Sequence, residues 1–353
     1  MSFELTCFNT NPNFQFKEKI FEKCDVLSHS YNFDCYQDQN NEVKLFAPYF
    51  DPKKPQDIYI EVINLKDNKE EKKLEGHKDR ILTIRHFQDP SNKKNYIISA
   101  DRKYNVIVWD LDDYSKKFET EIKYEGFIYS CYLIFEGKEM WAVTSSIGSN
   151  GVTKVFNVET KECKEINESK NLNVYYLDHW YNEKAESNDE KHVIIQCAKN
   201  KVLFSNYPKN TSYHTISTDD KNPYILTGRV FKNQDKDMFV FAASYGLIQF
   251  IDLETKTMVQ SYDLNSEDVH LCGFVRWNDT YLLLNDCSQR RIIVFDMLDN
   301  YKIKSKVVSP SMKFEKFIKK VNHPLYGESL LSLGIDWTLK LYTTRDLVVK
   351  KEN

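Results

Sequence analysis

Glycine is scarce in this 353-residue sequence, at 10 residues. A β-rich chain must then build most of its turns from Asn, Asp and Lys. A surplus of one charge is also missing: 49 basic and 52 acidic residues leave a formal net charge of −3. The short basic clusters, Lys53-Lys54, Lys72-Lys73 and Lys316 with Lys319-Lys320, each have acidic neighbours, so no strong field favours nucleic acid or an anionic membrane. No run approaches the ~20 apolar residues of a membrane-spanning helix. The N-terminus carries Glu4, Lys17, Glu18 and Lys19 without an apolar stretch of signal-peptide length. The eight cysteines are scattered, with no Cys-x-x-Cys pair and no Cys/His cluster; they read as reduced, buried thiols of a cytoplasmic or nuclear protein rather than as disulfides or zinc ligands. Phosphate-cradling Gly-x-x-x-x-Gly-Lys, the Gly-x-Ser-x-Gly elbow and His-Glu-x-x-His are all missing, so no cofactor, metal or catalytic residue is implied.

What is present is a beat. The third strand of successive units ends in an apolar or aromatic residue followed by a small or polar one: Ile63-Asn64, Trp109-Asp110, Phe156-Asn157, Phe204-Ser205, Ile251-Asp252, Phe295-Asp296 and Tyr342-Thr343, at intervals of 44 to 48 residues. A second marker, an aromatic ending the first strand, keeps similar time at Phe87, Phe135, Trp180, Phe231 and Trp277. Each unit holds four strand-length runs, of which Val106-Ile107-Val108-Trp109 is the clearest. A strand-filled period of this length marks propeller blades. The expectation is all-β: a seven-bladed β-propeller of four-stranded antiparallel blades, spanning 1–353 as one domain. Blades fall near 28–76, 80–124, 127–169, 173–218, 223–266, 268–309 and 313–345. The seventh unit lacks an obvious fourth strand, whereas Ser2–Phe8 is a spare one, so the N-terminal segment is expected to close the ring; Leu347–Lys350 is the local alternative. The remainder of 1–24 reads as a connector.

In the second unit, Gly76-His77 is followed by Trp109-Asp110, with Ser99 and Asp101 between them. These residues resemble the WD-repeat family, whose units run from Gly-His to Trp-Asp. The resemblance implies a hydrogen-bonded tetrad of His77, Ser99, Asp101 and Trp109. Asp101 stands two positions before the family's usual aspartate, where this chain has Lys103. The beat covers nearly the whole chain, but Gly-His and Trp-Asp each occur once, marking a divergent member.

Family resemblance implies a non-catalytic scaffold that presents loops and a channel mouth to protein partners, as a monomeric propeller within a larger complex. Trp180 and Trp277 hold the repeated aromatic position and read as core. Residues placed at the starts of first strands, Arg80, Tyr129, Tyr175, Tyr224, Arg229 and His270, combine flat apolar bodies with hydrogen-bond donors and are the partner-binding candidates. The loop Asp51–Asp57 belongs to the same face. Alternatives are a metal-dependent propeller hydrolase, with carboxylates such as Asp286 and Asp336 in the channel, and a reader of histone-tail peptides or RNA. His179 and His192 flank a charged insertion and read as solvated.

Overall fold

The computed structural model describes residues 5–9, 33–51, 54–66, 69–121, 126–207, 209, 211–218, 224–264, 271–308, 315–323, 327–334 and 339–344. They form seven four-stranded antiparallel sheets, and in blades 1 to 6 strand order follows chain order. The first strands are Asp34–Gln37, Ile81–Gln88, Phe127–Glu136, Val174–Tyr181, Ile225–Asn233, Leu271–Arg276 and Glu315–His323. Each touches the next, and the seventh also touches the first, so they line a closed central channel. In the seventh sheet, Leu5–Asn9 pairs with Leu339–Thr344, Leu5 opposite Thr344 and Asn9 opposite Lys340. Residues 2–4 of the expected N-terminal strand, the connector and Leu347–Lys350 lie outside the described residues.

Burial on both faces explains why blade strands read as continuous apolar runs. In Asn105–Asp110, Ile107 and Trp109 pack with Phe46, Ile60 and Val62 of blade 1, whereas Val106 and Val108 pack with Leu133, Ala142 and Phe156 of blade 3. Period-two alternation is kept, but both halves of it face a neighbouring sheet. The same arrangement recurs between blades 3 and 4, 4 and 5, 5 and 6, and 6 and 7. Fully burying one such Ile, Val or Phe contributes about 1.5–3 kcal/mol, and no blade can do it alone. Between blades 7 and 1 the described contacts are polar: Lys319 donates to Asp34 and to the Cys35 carbonyl, while Gln37 and Asn322 exchange side-chain-to-backbone hydrogen bonds.

The polar half of the repeated marker has a physical reason. Asn64, Asp110, Asn157, Asp252 and Asp296 each accept, on Oδ1, the backbone N–H two residues ahead, at 3.0, 3.0, 2.9, 3.0 and 3.1 Å. These are Asx turns that reverse the chain into the outer strand. Positive φ falls on Asn41, Lys93, Lys161, Asn171, Asn200, Lys256 and Asn300, of the types expected to stand in for glycine, but also on Tyr104, Tyr114, Gln234, Tyr245, Arg290 and Tyr301, which were not expected there. The loop expected over Asp51–Asp57 is largely a hairpin instead: one strand runs Val43–Asp51, the next begins at Lys54, and Tyr49 stacks on Tyr59 at 4.5 Å. Cross-strand aromatic pairing extends the ladder past the point where the outer strand ends, at Glu75 opposite Tyr59.

Candidate functional site

The four residues of the second unit form one buried hydrogen-bond chain. Trp109 Nε1 donates to Ser99 Oγ at 3.0 Å, Ser99 Oγ lies 2.7 Å from His77 Nε2, and His77 Nδ1 lies 3.2 Å from Asp101 Oδ2. Asp101 can accept only, so His77 carries its proton on Nδ1 and its Nε2 accepts from Ser99. Asp101 also accepts from the backbone of Lys78, Lys103 and Asn105. Burial pushes its carboxyl up, but the His77 hydrogen bond and the backbone N–H groups of Lys78 and Asn105 outweigh that and hold it below the ordinary value. One carboxylate thus braces the turn and orients the histidine. The cluster is structural, with Ser99 and Asp101 fully buried.

An aromatic arc lies on the face where the inner strands begin. The ladder shifts register between Ile128 and Ser130 and between Val174 and Tyr176, so Tyr129 and Tyr175 occupy bulges that free them from the strand alternation. Tyr129 meets Tyr175 edge-on at 5.6 Å, and Tyr175 meets Tyr224 edge-on at 5.4 Å, both at 84°. Such T-shaped pairs are favourable beyond their area burial. Tyr129 is buried at 7% exposure and serves as the footing, whereas Tyr224 is 36% exposed. Burial, with Tyr224 beside it, pushes the Tyr175 hydroxyl up to about 12. Exchanged hydrogen bonds with Ser244 fix the backbone of Tyr224.

Arg80 stands at the blade 2 end of this arc. Its carbonyl accepts from the Arg102 backbone, and the Arg102 guanidinium lies 5.3 Å from the ring of Phe127, which is 40% exposed. At the other end Tyr245 is 45% exposed and held at φ 67°, a conformation that costs a non-glycine residue energy. Phe127, Arg102 and Tyr245 were not among the sequence candidates. Arg102 and Tyr245 share a signal, the turn joining second and third strands, that a blade-by-blade reading of that turn would have found.

Other expectations need correction. Arg229 is not at a strand start: it is the fifth residue of Ile225–Asn233, lines the channel, and donates to the Phe274 carbonyl at 3.4 Å. Four strand residues, Ile225 to Gly228, precede it and carry it down from the mouth. His270 and Asp336 lie outside the described residues. Asp286 is buried against Arg291 at 2.7 Å, within its own blade. His179 and His192 are not solvated; Nε2 of the first lies 2.9 Å from Nδ1 of the second, and their rings stack. Burial and then the neighbouring imidazole push His179 down to about 3. Trp180 and Trp277 are each 4% exposed and sit in inter-blade cores. Among the described residues, no group of three or more His, Cys, Asp or Glu side chains could hold a metal ion, and no helix is long and apolar enough to cross a membrane.

No protein-family model matches the sequence, and no curated protein matches it. Solved structures do match. The beta-propeller domain of Cps50 (Swd1) from Myceliophteria thermophila superposes with a TM-score of 0.64 at 11% identity, over 90% of this chain and 97% of that one. The chain is a β-propeller. In all, 1550 solved chains match, so the likeness establishes architecture and leaves the function to be argued from the site.

Proposed function

We propose that this propeller is a non-catalytic, WD-repeat-like scaffold that presents the Tyr129–Tyr175–Tyr224 face to a protein partner within a larger complex, in the cytoplasm or nucleus. The carrying observation is the arc itself: aromatic rings from three consecutive blades touch in series, with exposed rings and two guanidinium groups at its edges. Tyr and Arg are the residue types most enriched among interface anchors, and rings packed edge-to-edge lose little conformational freedom when a partner covers them. Burial and then Arg102 lower the pKa of Arg80; an acidic residue on the partner would relieve that crowding, so the segment recognised is apolar with an acidic flank. The scaffold does no conformational work, because inter-blade cores fix every strand that carries the arc.

The test is affinity purification of the full chain from its native source with mass spectrometry, comparing wild type with a Phe127→Ser, Tyr224→Ser double variant. Both side chains are at the rim, so the melting temperature should hold while a stoichiometric partner is lost. A variant that retains the same partners, or a wild-type protein that purifies alone at every stage, defeats the proposal.

A further inference from the structure

Toward the far ends of the inner strands, away from the tyrosine arc, the channel opens into a cavity of about 480 Å³. Its two walls differ in chemistry. Blades 2 to 4 supply half-buried rings, His86, Phe87, Tyr132 and His179, and the Arg85 guanidinium, which lies 5.3 Å from the Phe87 ring and 4.8 Å from the Tyr132 ring and donates to the Cys131 and Leu177 carbonyls. Blades 5 to 7 supply Arg229, Arg276, Lys319 and Lys320. Between them the blade 6 wall is bare at Gly273, where a Cβ would meet nothing within 4 Å.

The imidazoles belong with the aromatic wall. Burial first, then Lys319, pushes His86 down to about 4, and His179 lies lower still, so at neutral pH both are uncharged rings. On the other wall the lysines are engaged: Lys319 with Asp34, Lys320 with Glu328 and the Trp277 carbonyl. The arginines have capacity in reserve. Arg229 is exposed into the channel, and its hydrogen bond to Phe274 is long. Arg276 binds Asp279 through a terminal nitrogen at 2.8 Å, but its Nε is buried with no hydrogen-bond partner among the described residues. The channel carboxylate Asp178 does not draw on them; it accepts from the Tyr176 hydroxyl and from the backbone of His179 and Val230.

We infer that this cavity binds a small phosphate-bearing ring compound of nucleotide size, its ring against the wall that the Arg85 guanidinium forms with Phe87 and Tyr132 and its phosphate held by Arg229 and Arg276. A planar guanidinium with unused N–H groups is matched to a tetrahedral oxyanion. The volume lies within the ~300–1,000 Å³ usual for small-molecule sites. The site goes beyond the partner-binding reading, since it lies at the other end of the channel and uses none of the arc.

Isothermal titration and thermal unfolding of the full chain with inorganic phosphate, adenosine, ribose 5-phosphate and AMP test this. AMP or ribose 5-phosphate should bind and raise the melting temperature, and which binds more tightly identifies the ring. Phosphate and adenosine should bind at least about tenfold more weakly. Arg229→Gln and Arg276→Gln should each weaken binding about tenfold or more, the cost of one charge-assisted hydrogen bond, without lowering the ligand-free melting temperature. Lys304→Gln, on the outer strand of blade 6, should change nothing. The inference is overturned if neither ring phosphate binds at millimolar concentration, if inorganic phosphate binds as tightly as they do, or if the two arginine variants bind like wild type.

Discussion

Ser99→Ala removes one oxygen and leaves two orphans. Ser99 Oγ is the acceptor for Trp109 Nε1–H at 3.0 Å and faces the lone pair of His77 Nε2 at 2.7 Å, in a site with no exposure. Methyl replaces hydroxyl with little change in volume, so no cavity opens. The cost is the desolvation of an N–H and of a ring nitrogen that no longer have partners, about 1–3 kcal/mol each, hence roughly 2–6 kcal/mol together. Asp101→Asn should cost a similar amount by another route. Its two oxygens accept from His77 and Lys78 on one side and from Lys103 and Asn105 on the other, so an amide NH₂ must confront donors on one of them. Urea unfolding of each variant gives the loss, and amide hydrogen exchange shows where it falls. Exchange should quicken in Asn95–Asp101 and Asn105–Asp110 before other blades. A Ser99→Ala loss below about 0.5 kcal/mol, or exchange that changes evenly around the ring, would refute the view that this chain of hydrogen bonds braces blade 2.

Deletion of residues 2–8 strips the outer strand from Leu339–Thr344, which pairs along its length with Leu5–Asn9; the melting temperature should fall by roughly 5 °C or more, and an unchanged value would show that the strand is no latch. Acid should destabilise the protein before its carboxylates titrate. His179 is neutral in the fold with its pKa down at about 3 against an ordinary 6.5, so the unfolded chain binds the extra proton first. The stability this contributes is complete above pH 6.5 and is lost as pH falls toward 3, with a ceiling of about 5 kcal/mol between those limits. Its surroundings include the imidazole of His192, the ring of Tyr132 and, beyond His192, Glu136. Melting temperature against pH should slope between 6.5 and 4.5 in wild type and slope less steeply in His179→Gln, where His86, held down to about 4, still contributes; equal slopes would sink this account.

The blade order was legible because the features that announce it act within one blade. Asn64, Asp110, Asn157, Asp252 and Asp296 each cap their own turn two residues on, so the signal survives in sequence whatever the neighbours are. Ser99, Asp101 and Trp109 likewise stand on adjacent strands of a single sheet, and His77 comes from the connection that leads into that sheet. The aromatic arc is of another kind. Tyr129, Tyr175 and Tyr224 meet only because three blades stand side by side, and two of them point where they do because a bulge breaks the alternation. Counting strands predicts that a tyrosine stands near the mouth, but not which ring it touches. Arg229 shows the same gap in reverse: it is the fifth residue of its inner strand, which puts it inside the channel rather than at the mouth. The histidine pair could have been anticipated, since Tyr181 lies opposite His192 and His179 opposite Ile194, which makes the two imidazoles diagonal neighbours across the hairpin.

That division bears on where specificity can reside. At 11% identity to a propeller that superposes over nine-tenths of the chain, nearly every side chain differs while the sheets hold their places. What the ring requires is apolar residues on both faces of each strand and a turn-capping residue on time, and many sequences satisfy that. Inner-strand starts and the turns between second and third strands are under no such demand, and it is there that this chain spends its exposed Phe127 and strained Tyr245. An exposed tyrosine in a left-handed conformation is destabilising on its own account, and the packing of blade 5 does not need it. Tyr245→Gly should therefore raise or leave unchanged the melting temperature and weaken partner capture. If the variant instead melted lower, Tyr245 would be part of the scaffold, and the partner surface would end at Tyr224.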